Sequence, residues 1–243
     1  MLFDNKHTIS PSYNIGDNVY YILQQNIVNL KLKPGELLNV KNISDLLNVS
    51  RTPVRDALIK LGKDGLVDVI PQKGTRVSKI DIRRVEEELF LRQSLEARAV
   101  TVFMQTYNES HINRLMEYIN QQEESLITQD YTSCLQYDDA FHQVFFEAID
   151  KNICWETIVN TSGHYRRVRL MSIWDHDIFA GVIEQHRNMV ENIISKNIQN
   201  VQKLFLEHSS KLVKEIEILS EKHPEYFKKN KKDNYLLTDF SWK

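Results

Sequence analysis

Apolar positions along the chain fall into two regimes. Up to about residue 80 the apolar runs are short and punctuated by turn residues, and beyond it they lengthen into helical stripes. In the first regime Val19, Ile22, Leu23, Ile27 and Leu30 mark the buried face of a helix that begins near Asp17, a suitable cap, and stops before Lys33-Pro34-Gly35. Leu37-Leu38 predicts a short strand. Val40, Ile43, Leu46 and Leu47 predict a second helix, and Asn48-Val49 a tight turn. Val54, Ala57, Leu58 and Leu61 form the apolar stripe of a third helix. Pro53 suits its first turn, Ser50 or Thr52 its N-cap, and Gly65 its end. Two β-like runs, 66–70 and 75–80, flank Pro71-Gln72-Lys73-Gly74, whose turn chemistry predicts a hairpin. Helix, helix, turn, helix, hairpin is the order of a winged helix-turn-helix.

In the second regime six amphipathic helices are expected, over about 81–107, 109–128, 131–149, 152–173, 177–197 and 198–223. Their short connections point to an antiparallel bundle. The expected fold is therefore mostly α: an N-terminal winged helix-turn-helix and a C-terminal all-α antiparallel helical bundle. Residues 1–16 read as a mobile arm, 17–80 as the winged domain, 81–223 as the bundle and 224–243 as a tail. In that tail a lysine cluster (Lys228, Lys229, Lys231, Lys232) precedes Tyr235, Phe240 and Trp242, which are expected to dock on the body.

Composition narrows the function. The 243 residues contain few Gly and Pro, which favours helix. No apolar run is long enough for a transmembrane helix, and the N-terminus lacks the apolar core of a signal peptide. Cys134 and Cys154 do not make a disulfide framework, so a reducing cytoplasm is the expected location. The net charge of −2 hides an asymmetry: residues 1–79 hold 11 Lys/Arg against 7 Asp/Glu, and the remainder 20 against 26. A basic head on an acidic body fits nucleic-acid binding by the head alone. Arg51 and Arg55 lie one turn apart, off the apolar stripe of the third helix. Such a front reaches phosphates and base edges in a major groove.

In the bundle, Asp138 and His142 are four residues apart on one face with Leu135, Phe145 and Ile149. His186 shares a stripe with Val182, Met189, Val190 and Ile193, and His208 with Val201, Leu204, Phe205 and Leu212. One carboxylate and three imidazoles thus face the core from three helices. A buried carboxylate without a partner is expensive. A divalent metal satisfies all four, with zinc the first choice and nickel, manganese or iron also suited to this donor set. The remaining histidines, His111, His164, His176 and His223, read as hydrogen-bonded core or boundary residues. The same four residues also fit a regulator whose signal is the metal itself. A metal-dependent enzyme is disfavoured, because no separate general base or nucleophile stands at a telling spacing.

Two family resemblances extend this reading. Pro34-Gly35, the run Val49-Ser50-Arg51-Thr52-Pro53-Val54-Arg55-Asp56-Ala57-Leu58, Leu61, Gly65-Leu66-Val67, Gly74 and Val77 resemble the DNA-binding domain of GntR-family bacterial transcription regulators. Asp56 stands where that family usually has Glu, and Leu46-Leu47 where it usually has Leu-Ala. The resemblance implies that Ser50, Arg51, Thr52, Arg55, Lys73 and Gly74 face operator DNA. Leu91-Arg92-x-x-Leu95-Glu96, Asp138-x-x-Phe141-His142, His186 and His208 resemble the FCD-type effector domain of the FadR subfamily. That resemblance implies Asp138, His142, His186 and His208 as metal ligands and Arg92 as the residue facing a ligand's acid group. Glu96 reads as an ion-pair partner. Of the cluster Arg166, Arg167 and Arg169, most are expected on a solvated face, with Arg169 turning inward beside Arg92. The expected function is a homodimeric, ligand-responsive regulator, a repressor by expectation, on palindromic half-sites, controlled by a small carboxylate effector and making no membrane contact.

Overall fold

The computed structural model describes residues 14–174 and 176–229, and the chain divides into two compact units. The expected arm up to residue 13 and the tail aromatics lie outside the described residues.

The first unit comprises residues 14–82 together with 223–229. Helix α1 (Ile15–Val28) starts earlier than its stripe suggests: Asn14 is the N-cap, and its side chain accepts the Asp17 N–H at 2.9 Å. Asp17 is thus a first-turn acid rather than the cap, a role equally suited to the helix dipole. After Leu30, which has a positive φ, Gly35 turns the chain at φ 88° into β1 (Leu37–Leu38). Helix α2 (Val40–Leu47) is capped by Asn39, whose side chain accepts from the N–H groups of Lys41 and Asn42. It ends at Asn48 in the left-handed region, a conformation Asn tolerates better than most residues. Ile43 is buried and Leu47 partly so, but Leu46 is exposed: eight residues make too short a helix to bury its whole apolar arc. Helix α3 (Arg51–Lys63) buries Val54, Ala57, Leu58 and Leu61. Strands β2 (Val67–Ile70) and β3 (Gly74–Val77) complete an antiparallel sheet of order β1-β3-β2, with Leu37 opposite Arg76 and Val69 opposite Thr75. The core of this unit joins Val19, Leu23 and Ile27 of α1 to the α3 stripe and to Leu38, Val67 and Val77 of the sheet.

The second unit, residues 83–222, holds the bundle helices α4 (Ile82–Thr106), α5 (Glu109–Ile127), α6 (Tyr131–Glu147), α7 (Asn152–Thr161), α8 (Gly163–Ile173), α9 (His176–Ile194) and α10 (Ile198–Lys222). Where one helix was expected over 152–173 there are two. The chain breaks at Ser162, and the N–H groups exposed at the start of α8 find an acceptor on α4: Glu88 Oε2 takes the His164 and Tyr165 N–H at 2.9 and 2.7 Å. Arg167, fully buried, donates to the Gly163 carbonyl and lies 3.0 Å from His164 Nδ1. His111 closes a capping box at the start of α5, where its Nδ1 accepts the Asn108 N–H. The centre of the bundle is aromatic: Phe103, Phe141 and Phe205 meet Phe145 edge-on at 4.9–5.5 Å. No helix among the described residues is long and apolar enough to cross a membrane.

Burial pushes the Glu88 carboxyl from its usual 4.5 up to about 7, against the pull of the two backbone donors, Arg84 and Arg167. A carboxyl whose pKa is raised on folding holds more protons in the folded state between these values, so stability falls as pH rises through this window. Thermal unfolding of Glu88→Gln should therefore be flatter than wild type between pH 4.5 and 7. The excess slope in wild type should be worth at most on the order of 3 kcal/mol.

Candidate functional site

Two sites emerge, one in each unit. In the first, α3 projects its polar face away from the core. Ser50, Arg51, Thr52 and Arg55 are all exposed, while Val54, Ala57 and Leu58 between them are buried. Ser50 occupies the N-cap position without a side-chain cap bond, so its hydroxyl is not spent on its own helix. At the tip of the β2–β3 hairpin, Lys73 and Gly74 are exposed, and Gly74 has φ 102°, a conformation that favours glycine. The side-chain-free Gly74 has nothing within 4 Å of where a Cβ would stand, so close approach of another backbone is open there.

The second site lies at the aromatic centre of the bundle. Asp138 and His142 come from α6, His186 from α9 and His208 from α10. All are buried, and their potential ligand atoms lie within 4.8 Å of one another. The sequence placed them on three stripes, and the fold brings all of them together. Ring centroids are 5.3 Å apart for His142 and His186, 4.8 Å for His186 and His208, and 5.3 Å for His142 and His208. Phe141 stacks on His186 at 4.2 Å and fixes the plane of that ring.

The orientation of two of the imidazoles follows from the outer nitrogen. His186 Nδ1 is 3.0 Å from Gln122 Oε1, and His208 Nδ1 is 3.0 Å from Gln185 Oε1. Gln122 donates its own amide to the Tyr137 carbonyl at 3.3 Å, which directs its oxygen toward the ring. An amide oxygen only accepts, so Nδ1 carries the proton and Nε2 presents its lone pair to the centre. His142 Nδ1 lies 3.0 Å from Glu96 Oε1. Gln122 and Gln185 escaped the sequence reading. The one available signal was Gln122 itself, a polar residue on the stripe Leu115, Ile119, Leu126 of α5, where it is fully buried.

Asp138 divides its oxygens. Oδ1 accepts from Arg169 Nη2 at 2.9 Å, and Oδ2 is buried with no hydrogen-bond partner. His142 Nε2 and His186 Nε2 are likewise buried without partners. Burial alone would raise the Asp138 pKa, but Arg169, then His142 and His186, hold it well below the usual carboxylate range. Burial pushes His186 down to about 3 against the pull of Asp138, and depresses His208 well below its ordinary value. A carboxylate oxygen and imidazole nitrogens, all buried and within 4.8 Å of one another, fit a divalent cation.

Beside this cluster lies a set of buried charges. Arg92 Nε donates to Glu96 Oε1 at 2.8 Å, and its Nη1 is 3.8 Å from Asp139. The guanidinium lies over the Tyr165 and Trp155 rings, at 5.1 and 5.8 Å from their centroids. Its Nη2 is buried with no hydrogen-bond partner. Arg166 pairs with Asp139. The arginine cluster of α8 therefore does not form a solvated face. Arg167 and Arg169 are buried and Arg166 half-buried, because α6 supplies Asp138 and Asp139 as counter-charges and α8 its own Gly163 carbonyl. Arg169 does turn inward, and its contact there is Asp138 itself.

Comparison with known proteins agrees with both halves. Residues 15–77 match the model of the bacterial regulatory proteins of the gntR family, and residues 87–211 match the FCD domain. The HTH-type transcriptional repressor RspR of Escherichia coli is 31% identical over 205 residues, covering 79% of this chain and 90% of its own. A GntR transcriptional regulator from Rhodococcus superposes with a TM-score of 0.72 at 22% identity, over 86% of this chain and 99% of its own. E. coli McbR/YncC superposes at 0.71 with 20% identity, over 87% and 99%. The matched families and relatives are transcription regulators, not enzymes. The chain is a DNA-binding transcription regulator that belongs to the gntR family, with an FCD domain as its second half.

Proposed function

We propose that this regulator is a homodimeric repressor whose hold on a palindromic operator is set by a small carboxylate metabolite, bound beside a divalent metal ion in the helical unit. The observation that carries the reading is the buried constellation of Asp138 Oδ2, His142 Nε2 and His186 Nε2, unpartnered and converging, with the orphaned Nη2 of Arg92 in the same charge network. A divalent ion held by Asp138, His142, His186 and His208 supplies positive charge and open coordination positions for an anionic guest.

The protein groups fit such a guest. Arg92, Arg166 and Arg169 already face Glu96, Asp138 and Asp139 in ion pairs, so the network is balanced before a cation enters. The surplus charge of a bound cation favours an anion, and Arg92 offers it a buried donor. Asp138, with one oxygen committed to Arg169, offers a single carboxylate oxygen beside three imidazoles. That set suits zinc, nickel, manganese or iron better than the harder calcium and magnesium. In the other unit, Arg51 and Arg55, with Ser50, Thr52, Lys73 and Gly74, are the groups we assign to phosphates and base edges. Repression is supported by the RspR relative, itself named a transcriptional repressor.

Titration of the protein onto DNA from its own upstream region tests the reading. Arg51→Ala and Arg55→Ala should each weaken sequence-specific binding by roughly 10–100-fold, with non-specific binding reduced far less. Unchanged specific binding would remove α3 as the reading face. Metal analysis of purified protein should find about one divalent ion per chain in wild type and little in Asp138→Asn. Gln122→Leu, which leaves all four ligands in place, should lower zinc affinity by roughly 10–100-fold. The same DNA titration with zinc-loaded and chelator-treated protein, with and without a panel of small carboxylates, separates the roles. Release only when a carboxylate is added makes the metal a cofactor, whereas release by zinc alone makes the metal the signal.

A further inference from the structure

We infer that the segment following the last bundle helix is a built-in strap of the DNA-reading unit, so that this unit is held by both ends of the helical half. After α10 ends at Lys222 the chain returns to the first unit, to which residues 223–229 belong. There Phe227 pairs with Ile80 in a parallel bridge. The Ile80 N–H donates to the Tyr226 carbonyl at 2.8 Å, and the Lys228 N–H donates to the Ile80 carbonyl at 2.8 Å. A turn from the Tyr226 N–H to the His223 carbonyl presents this segment, and Lys228 Nζ pairs with Asp81 at 3.1 Å.

The physical need for the strap lies in Ile80. That residue is fully buried, and its N–H and carbonyl are both satisfied by the returning segment. The two groups are thus paired within the folded chain, as buried backbone N–H and carbonyl groups almost always are. Phe227, 3% exposed, brings its ring into the same unit. Ile80 is also the last residue before the linker into α4, the helix that carries Arg92 and Glu96. The strap in turn continues from α10, which carries His208 and Glu215. The chain therefore crosses between the units twice, and both crossings end on the Ile80 bridge. Both chain connections of this unit to the helical half thus start from residues joined at the Ile80 bridge.

Amide hydrogen exchange on the full-length protein tests the strap directly. The Ile80 and Lys228 amides should be protected in wild type. In Phe227→Ala they should exchange roughly tenfold faster or more, while amides of Leu61 and Val144 keep their wild-type rates. Phe227→Leu, which keeps an apolar side chain, should restore most of the protection, which separates a loosened strap from general unfolding. Fast exchange of Ile80 and Lys228 in wild type, or unchanged exchange in Phe227→Ala, would overturn the inference.

Discussion

A carboxylate that is 1% exposed at the centre of a helical bundle has to be compensated, and the compensation of Asp138 organises the helical half of this protein. Arg169 meets one of its oxygens, which fixes α8 against α6. Arg169 is itself buried, so its cost is met by the same contact and by neighbouring Glu215. Glu215 reaches α8 again through Ser172, at 2.7 Å. On the other side His186 and His208 are kept neutral by burial, and their outer nitrogens are held by glutamines from α5 and α9. Five of the seven helices of the unit thus take their relative positions from polar contacts around one carboxylate, with the Phe145 cluster supplying the apolar packing between them. The cost of this arrangement is stability: replacing buried ion pairs by apolar side chains is often neutral or stabilising in proteins. What the charges give in return is a centre with strong, preset electrostatics.

The reading unit follows a different logic, dominated by local sequence. Asn39, Asn48, Ser50 and Gly65 stand at helix ends where their backbone or side-chain chemistry fits, and the apolar stripe of α3 has a single partner surface. That is why this unit was largely legible from its residues. Each element is short, each boundary has a signal, and the arginines of α3 are off the stripe by simple helical spacing. Where the reading slipped it did so at ends: α1 begins at Ile15 rather than at Asp17, because Asn14 and Asp17 are both competent caps and the sequence does not rank them.

The bundle was legible in its stripes and less so in its connections. Four ligand candidates could be read because Asp and His on apolar faces are conspicuous. The break at Ser162 has no local signal, because the residue that makes it tolerable, Glu88, lies on α4, 76 positions before the N–H it accepts. The burial of the α8 arginines is hidden for a similar reason, since a run of cations has no visible partner in sequence. Their partners, Asp138 and Asp139, are adjacent on α6 but face different arginines. Gln185 carried no signal at all, since a glutamine beside a histidine is ordinary helix surface until the fold closes over it. Residues that hold a site in place through a contact distant in sequence are in general the least visible in a single chain.

The make-up of α8 ties it to the rest of the bundle. It has eleven residues, three of them arginines, and every one of those arginines is spoken for by a group fixed elsewhere or by the helix's own start. A segment of that length has little tendency to be helical on its own in water. Its first turn has an acceptor only once Glu88 of α4 is in place, and its middle only once α6 presents its acidic pair. Helix α8 therefore owes its place to groups on two other helices: its polar atoms are satisfied only in the assembled bundle, and its docking completes the charge balance of the bundle centre.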